Sequence, residues 1–399
     1  MPHTRFAAVS YPVRLYSGID ALENLTGVLD RAGAKRAYVV CGRSVSRKTD
    51  LIARICGIAG ERFAGLYDEM LKDAPLECIQ AAVEGARGAK ADLLVAVGAG
   101  SVIKAVRIVA ILLAEKKPVE DLITRYPPTG PAVSPRLLAP KLPIVNVLTA
   151  PTTAQNRAGA AAKKPEAGHR LEFFDPKTRP VAIFWDSHAL LSAPPSLALT
   201  TSASVFWRSL MNIGNVRTAN PLVEGERHQA FRLAHRSLPR VTDPTDADAR
   251  IELCAAAFLQ NREEDAGRTL GDSHWVARMV YALTASVINI CEAAGQGDSY
   301  AILTGPAVRH VGARNMDDMV AVGRALGVEA PQPTPAQVAE AIDGFFRKTG
   351  LSPRLRDLGV PRESLPAIVD FSLKNFNADR ERAFLNETET LTRILEDAW

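Results

Sequence analysis

The chain has 399 residues, 47% hydrophobic and 23% charged, which is enough for two domains with cores of their own. That composition, with 27 Gly and 26 Pro, excludes disordered, collagenous and low-complexity classes. A net charge of +4, from 48 basic and 44 acidic residues, is too small to point to nucleic acid.

The opening run MPHTRFAAVSYPVRLYSG meets Pro12 and Arg14 before any long apolar stretch, so no secretory leader is expected. Apolar, β-branched runs then end in small residues at Ala37–Gly42, Leu93–Gly98, Ile144–Ala150 and Val181–Asp186. Between the first two, Cys78, Ala81, Ala82 and Ala86 recur at helical spacing. Continuous apolar strands alternating with helices predict a parallel sheet covered on both faces. Tyr126–Lys141 is Pro-rich and predicts a surface loop, and the polar Lys163–Lys177 predicts a hairpin or excursion.

Beyond Asp186 the strand-like runs stop. Helical spacing covers Leu197–Met211, Val223–Leu238, Asp246–Gln260, His274–Ala294, Met316–Leu326, Pro335–Thr349, Pro366–Asn377 and Glu387–Trp399. Thr334-Pro335 and Asp246 are helix-start signals. The apolar stretch Trp275–Gly295 is broken by Arg278, Asn289 and Glu292, so it predicts a buried helix and no membrane span. Two domains follow: residues 1–186, α/β and of Rossmann-like, nucleotide-binding type, and residues 187–399, all helical, with the active-site cleft between them. The five cysteines, Cys41, Cys56, Cys78, Cys254 and Cys291, form no metal-ligand or disulfide spacing and predict reduced thiols in the cytoplasm.

Gly98-Ala99-Gly100-Ser101-Val102-Ile103-Lys104 closes one strand and opens a helix, a turn in which backbone N–H groups can approach a phosphate. By itself such a turn is equally explained by steric need for glycine. The order of features resembles the iron-containing alcohol dehydrogenase family, which includes the maleylacetate reductases and is related to dehydroquinate synthase. Pro12–Gly18 is similar to the family's opening strand and Leu93–Ala110 to its GGGSxxDxAK turn and helix. Pro151-Thr152-Thr153-Ala154 is similar to the start of its PTTAGTGSE loop. Trp185-Asp186 with Pro194, Asn220-Pro221-Leu222, Leu238–Arg250 and Ala301-Ile302-Leu303 with Pro306 complete the match. The resemblance implies a dehydroquinate synthase-like fold, a nicotinamide dinucleotide and a homodimer.

The departures are as informative. The family's metal-binding Asp and first His fall on Ser204 and Arg208, its HxxxH-type stretch on Ala282–Ser286, and its HG pair on Gln296-Gly297. None of these is a good iron or zinc ligand, and a guanidinium repels a cation, so no metal is expected there. The seven histidines (His3, His169, His188, His228, His235, His274, His310) lie elsewhere. The GTGSE segment becomes Gln155-Asn156-Arg157-Ala158-Gly159, and Lys104 and Arg107 fill the later slots of the Gly-rich turn. The expected dinucleotide contacts are Gly42, Arg43, Ser44, Gly98, Gly100, Ser101, Thr152 and Thr153. The basic run Arg43, Arg47, Lys48 suits the 2′-phosphate of NADP, although it reads equally well as a solvated helix start.

With the Lewis acid gone, Arg208 stands where it could polarise a substrate oxygen, with Ser286 and Gln296 as the other candidate catalytic residues. The plain alternative for Arg208 is a salt bridge within the helical half. Lys104, Arg157, Arg170 and Arg208 together predict a small anionic ligand and no nucleic acid. Asp298-Ser299-Tyr300 offers a proton relay or, more simply, a helix start; Asp272 with His274 reads the same way. Three functions stay open: a metal-independent, NAD(P)-dependent oxidoreductase acting on a small acidic carbonyl or enone, a non-redox lyase, hydrolase or isomerase in the same cleft, and a catalytically silent binding subunit. The first is the one the residues favour.

Overall fold

The computed structural model describes residues 4–127, 132–164 and 170–399. His3 and His169 therefore lie outside the described residues. The described residues form eight strands: β1 (Arg14–Gly18), β2 (Ala37–Cys41), β3 (Phe63–Tyr67), β4 (Leu93–Gly98), β5 (Ile144–Leu148), β6 (Gly159–Ala162), β7 (Leu171–Phe174) and β8 (Ala182–Asp186). Six form one sheet in the order β1-β8-β5-β4-β2-β3, with every pair parallel. The four runs read as buried strands are β2, β4, β5 and β8, and all of their residues are buried. Two apolar clusters cover the sheet, one holding Val40, Leu94 and Ile183, the other Val39, Val95 and Val145. Alternate residues of one strand feed opposite faces, as a doubly covered parallel sheet requires.

Two elements escaped the sequence. Strand β3 is short, contains Gly65 and lies half-buried at the sheet edge, so it carries no continuous apolar run. The helix Gln296–Val311 contains Gly297, Gly305 and Pro306, residues that hide helical periodicity. Its glycines serve packing: a Cβ at Gly297 would collide with the Thr200 carbonyl, so Gly297 lets this helix touch the helix Pro195–Gly214 directly. The polar excursion is an antiparallel hairpin of β6 and β7, beginning a few residues earlier than expected.

Among the described residues no strand follows β8. The helical half is built from amphipathic helices around one large cluster running from Ala198 to Ala398. Its starts use the capping chemistry expected. Asp246 accepts from the Ala249 N–H at 2.8 Å, and Thr334 forms a reciprocal capping box with Gln337 ahead of Pro335. His274 is the cap itself rather than a first-turn residue, its Nδ1 accepting from the Ala277 N–H at 3.3 Å. The apolar stretch after it is the helix Trp275–Ile290, and no helix of the described residues is long and apolar enough to cross a membrane.

Candidate active site

The sheet order defines where a ligand can sit. From β2 the chain passes outward to β3, then returns over β2 to β4 and continues the other way to β5. The carboxyl ends of β2 and β4 therefore flank a topological switch point, where open α/β sheets leave a crevice. Cys41 pairs with Val97 across the two strands, which puts Gly42-Arg43-Ser44 beside the Gly98–Ser101 turn. Gly98 pairs with Leu148 of β5, and its carbonyl accepts from the Thr149 N–H at 3.2 Å, bringing the loop with Thr152 and Thr153 to the same edge. The three segments expected to contact a dinucleotide thus meet along one sheet edge.

Local geometry there suits a phosphate chain. Gly98 has φ +158 and a Cβ on it would strike Val102 at 2.8 Å, so the turn into the helix Gly100–Ala114 is closed to larger residues. At Gly100 a Cβ would come within 3.1 Å of Thr152 Oγ1, and at Gly42 within 3.0 Å of the Met70 carbonyl. These close approaches keep the turn free of side chains, so the N–H groups at the start of a long helix are left for a phosphate to approach, which is compatible with a dinucleotide. Ser101 Oγ accepts from the Asp73 N–H at 3.0 Å and so braces the turn against the loop after β3. Arg43 and Arg47 do not stand free: both pair with Glu69, Arg47 at 3.2 Å.

The loop that replaces GTGSE is a structural seam. Gln155 donates to the Cys254 carbonyl at 2.7 Å and accepts from Trp185 Nε1 at 2.8 Å. Asn261 donates to the Thr153 carbonyl at 2.8 Å and to Asn156 at 2.7 Å. These bonds sew the loop onto the helix Ala247–Asn261. Sequence reading saw only a damaged motif, because the partners lie about a hundred residues away.

Opposite this edge, the candidate catalytic positions gather on three helices. Ser204 and Arg208 sit one turn apart on Pro195–Gly214, Ser286 on Trp275–Ile290, and Gln296 opens Gln296–Val311. Trp207 stacks on Tyr300 with ring centroids 3.8 Å apart and planes 3° from parallel. Gln296 Nε2 donates to the Tyr300 hydroxyl at 3.2 Å. Ser204 and Ser286 turn their hydroxyls into their own helices, toward the Thr200 carbonyl at 3.4 Å and the Ala282 carbonyl at 2.9 Å. Asp298 lies in the first turn of its helix and accepts from Thr200 Oγ1, in keeping with a helix start.

Such a donor set does not fit a resident iron or zinc ion. It offers a guanidinium, an alanine, an amide and hydroxyls already donating to carbonyls. Among the described residues no three His, Cys, Asp or Glu side chains converge elsewhere either.

What the site does gather is positive charge. Arg208 Nη2 lies 3.7 Å from Glu264 Oε1, and Arg157 Nη2 lies 2.6 Å from the same oxygen. Burial alone would raise the Glu264 carboxyl; Arg157 and Arg208 outweigh it and hold that carboxyl below its usual range. On the other side Arg170 pairs with Asp73 at 3.2 Å. Burial opposes the Asp73 charge as well, and Arg170 and Lys104 overcome it. Asp73 and the next residue, Ala74, both hold positive φ, 64 and 54, a strained turn that aims the carboxylate inward. Lys104, Arg107, Arg157, Arg170 and Arg208 share one electrostatic neighbourhood with the carboxylates Asp73, Glu172 and Glu264. With Arg179 and Glu263, which act on the same groups, six cations face four anions, a surplus that a largely desolvated site holds only at a cost. Tyr281 faces Arg157, Arg170 and Arg208, and burial keeps its phenol protonated well above the ordinary range.

Comparison with known proteins agrees with this architecture. Residues 12–187 match the family described as iron-containing alcohol dehydrogenase, and residues 215–399 match the Fe-containing alcohol dehydrogenase family, C-terminal. Maleylacetate reductase 2 of Cupriavidus pinatubonensis is 29% identical over 267 residues, 67% of this chain and 64% of that protein, so the alignment spans just under two thirds of that relative's length. The crystal structure of maleylacetate reductase from Rhizobium sp. strain MTP-10005 superposes with a TM-score of 0.75 at 18% identity, covering 100% of this chain and 99% of that one. An archaeal alcohol dehydrogenase from a Red Sea brine pool superposes with a TM-score of 0.84 at 18% identity, covering 100% of both chains. At those identities the two structures speak for the fold alone.

Proposed function

Because the chain belongs to the iron-containing alcohol dehydrogenase family, we propose that it is an NAD(P)-dependent oxidoreductase that reduces a small acidic carbonyl or enone compound without a bound metal. The observation that supports this reading is the surplus of guanidinium and ammonium groups gathered around Arg157, Arg208 and Lys104. A surplus of that kind is relieved by an anionic substrate, and planar guanidinium groups bind carboxylates bidentately. Relatedness to maleylacetate reductase supports the same substrate class.

Gly42–Ser44, Gly98–Ser101 and Thr152-Thr153 would hold the dinucleotide along the switch-point edge. When bound, a nicotinamide cofactor would supply the hydride that the reduction needs. Arg208 takes the polarising role, donating to the substrate oxygen as charge develops on it. Arg157, locked on Glu264, orients the substrate carboxylate. Gln296 positions Tyr300 through its hydrogen bond, and Ser286, committed to its own helix, offers only lone pairs to the cleft. NADP is the proposed dinucleotide, on Arg43 and Arg47; its 2′-phosphate would compete with Glu69 for both. A homodimer and a cytoplasmic location belong to the same reading, the first on the family, the second on five unpaired cysteines.

Titrating the metal-free protein with NADPH and NADH, by fluorescence or calorimetry, tests the reading directly. Saturable binding supports it, and no binding of either dinucleotide overturns it. The non-redox alternative draws support from Gln155 and Asn156, which the family's nicotinamide loop lacks and which are spent here on packing. Turnover unaffected by removing the nicotinamide would favour it.

A further inference from the structure

We infer that the Lys104 amine is a nucleophile that condenses with the ketone of a small oxo acid to form an imine in the cleft. The inference shares its substrate class with the proposed function but needs no nicotinamide. Lys104 sits one turn inside the helix Gly100–Ala114, on the side facing Asp73 and Arg170.

Its first distinction is that the amine is unoccupied. Among the described residues Lys104 makes no hydrogen bond or ion pair. Other anchored lysines contrast with it. Lys72 Nζ is held by the carbonyls of Glu292 at 2.5 Å and Ala294 at 3.2 Å. Lys141 Nζ is held by Glu115 at 2.8 Å, Asp175 at 3.1 Å and the Ala139 carbonyl at 2.7 Å. An amine with no partner keeps its lone pair available once the proton leaves.

The surroundings make that proton easy to lose. The groups around Lys104 are Arg170, Arg107 and Arg157, all cationic, with Asp73 as the opposing charge. Burial, then Arg170, disfavour the ammonium form and bring Lys104 down to about 8. At pH 7 an amine of that kind is about 300 times more deprotonated than an ordinary lysine. Desolvation beside other cations is a general way of activating a lysine toward carbonyl carbon.

The same neighbours recognise the other end of the substrate. Arg107 donates to the Gly159 carbonyl through Nη1 at 2.8 Å, while its buried Nη2 has no hydrogen-bond partner among the described residues. Arg157 likewise has a buried Nε without one. A carboxylate answers both needs. In the covalent step the neutral amine attacks the carbonyl carbon, giving a carbinolamine. The carbonyl oxygen then leaves as water with the two amine hydrogens, and the C=N bond forms. No oxidant or reductant is consumed.

The test is reductive trapping. The full chain, without nicotinamide, is incubated at pH 7 with pyruvate, acetoacetate or 2-oxoglutarate and sodium cyanoborohydride, then digested for mass spectrometry. The expected result is an adduct on Lys104 forming on the order of 100-fold faster than on the exposed Lys35 and Lys90, with Lys72 and Lys141 unlabelled. Lys104→Arg, which keeps the charge and fold, abolishes the adduct. Labelling of Lys104 no faster than of Lys35, or no adduct with any of the three acids, overturns the inference. A protein that traps oxo acids yet binds neither NADPH nor NADH keeps this inference and loses the reductase reading; binding of a dinucleotide without trapping does the reverse.

Discussion

Arg157 and Arg208, contributed by different halves of the chain, converge on a single oxygen of Glu264, at 2.6 Å and 3.7 Å. One carboxylate serving two half-buried guanidinium groups leaves about one positive charge for a ligand to meet, and it ties the loop after β5 to the helical half. Glu264→Gln removes the carboxylate that these two guanidinium groups share. Breaking a half-buried pair from one side should cost about 1–3 kcal/mol, between the values for exposed and fully buried pairs. Urea unfolding of the variant should show that loss, and a change under about 1 kcal/mol would mean the pair is solvated in solution.

Arg208→Met should act in the opposite way on stability and ligand. Arg157 keeps Glu264, so the variant loses a repulsive neighbour and should be as stable as the parent. Succinate, used as a dicarboxylate probe, should raise the melting temperature of the parent and not of Arg208→Met. Equal shifts in both proteins would remove Arg208 from the anion site.

At the expected dinucleotide edge, Gly100→Ala places a methyl 3.1 Å from Thr152 Oγ1, a tight contact that pushes on the loop carrying Thr152 and Thr153. Affinity for NADPH, read by fluorescence titration, should fall by about tenfold or more, which corresponds to about 1.4 kcal/mol. Stability should change by less than about 1 kcal/mol, since the position tolerates alanine's φ. Glu69→Ala tests the choice of dinucleotide separately. Releasing Arg43 and Arg47 from their shared carboxylate should raise the preference for NADPH over NADH by about tenfold, the worth of one charge-assisted contact. An unchanged ratio places the 2′-position elsewhere.

Metal removal gives the sharpest contrast with the rest of the family. Elemental analysis of protein purified without chelator should find iron and zinc far below one per chain, and dialysis against EDTA should leave the melting temperature unchanged. A stoichiometric metal, or destabilisation on chelation, would falsify the reading of Ser204, Arg208, Ala282 and Gln296 as a site without an ion.

His274 sets a pH dependence. Burial lowers it to about 4, with the Met211 carbonyl, 3.2 Å from Nε2, opposing only in part. Its folded value lies below the unfolded value of about 6.5, so the unfolded chain binds the extra proton first. The contribution is therefore complete above pH about 6.5 and is lost as pH falls toward 4, by about 3 kcal/mol in all. His274→Asn keeps a capping oxygen and should flatten the stability profile in that window. A parent profile already flat there would show that the ring does not enter the core neutral.

How much of this was legible beforehand varies with the range of the interaction. Asp246, Thr334 and Pro335 announced their helices because a cap and its N–H groups lie within four residues. Strands β2, β4, β5 and β8 announced themselves because burial on both faces leaves a continuous apolar run. Strand β3 and the helix Gln296–Val311 did not, because edge exposure blunts one pattern and Gly297, Gly305 and Pro306 break the other. The four cations Lys104, Arg157, Arg170 and Arg208 were grouped as a ligand-facing set by type, whereas Arg107 was noted only as a later slot of the Gly-rich turn until Gly159 and Arg157 were seen against it.

By itself the sequence determined the class of the protein. Its 47% apolar content, the change from strand runs to helical spacing at Asp186, and the absence of histidine from positions 204, 208, 282 and 296 are one-dimensional facts. The modest charge of +4 said little until it had a location. Only the tertiary structure decided that Lys104, Arg107, Arg157, Arg170 and Arg208 share one neighbourhood, that Glu264 answers two of them, and that among the described residues Lys104 makes no hydrogen bond or ion pair. The physical reason is that charge counts add along a chain, while the energy of a charge depends on the distance, burial and pairing that folding alone creates.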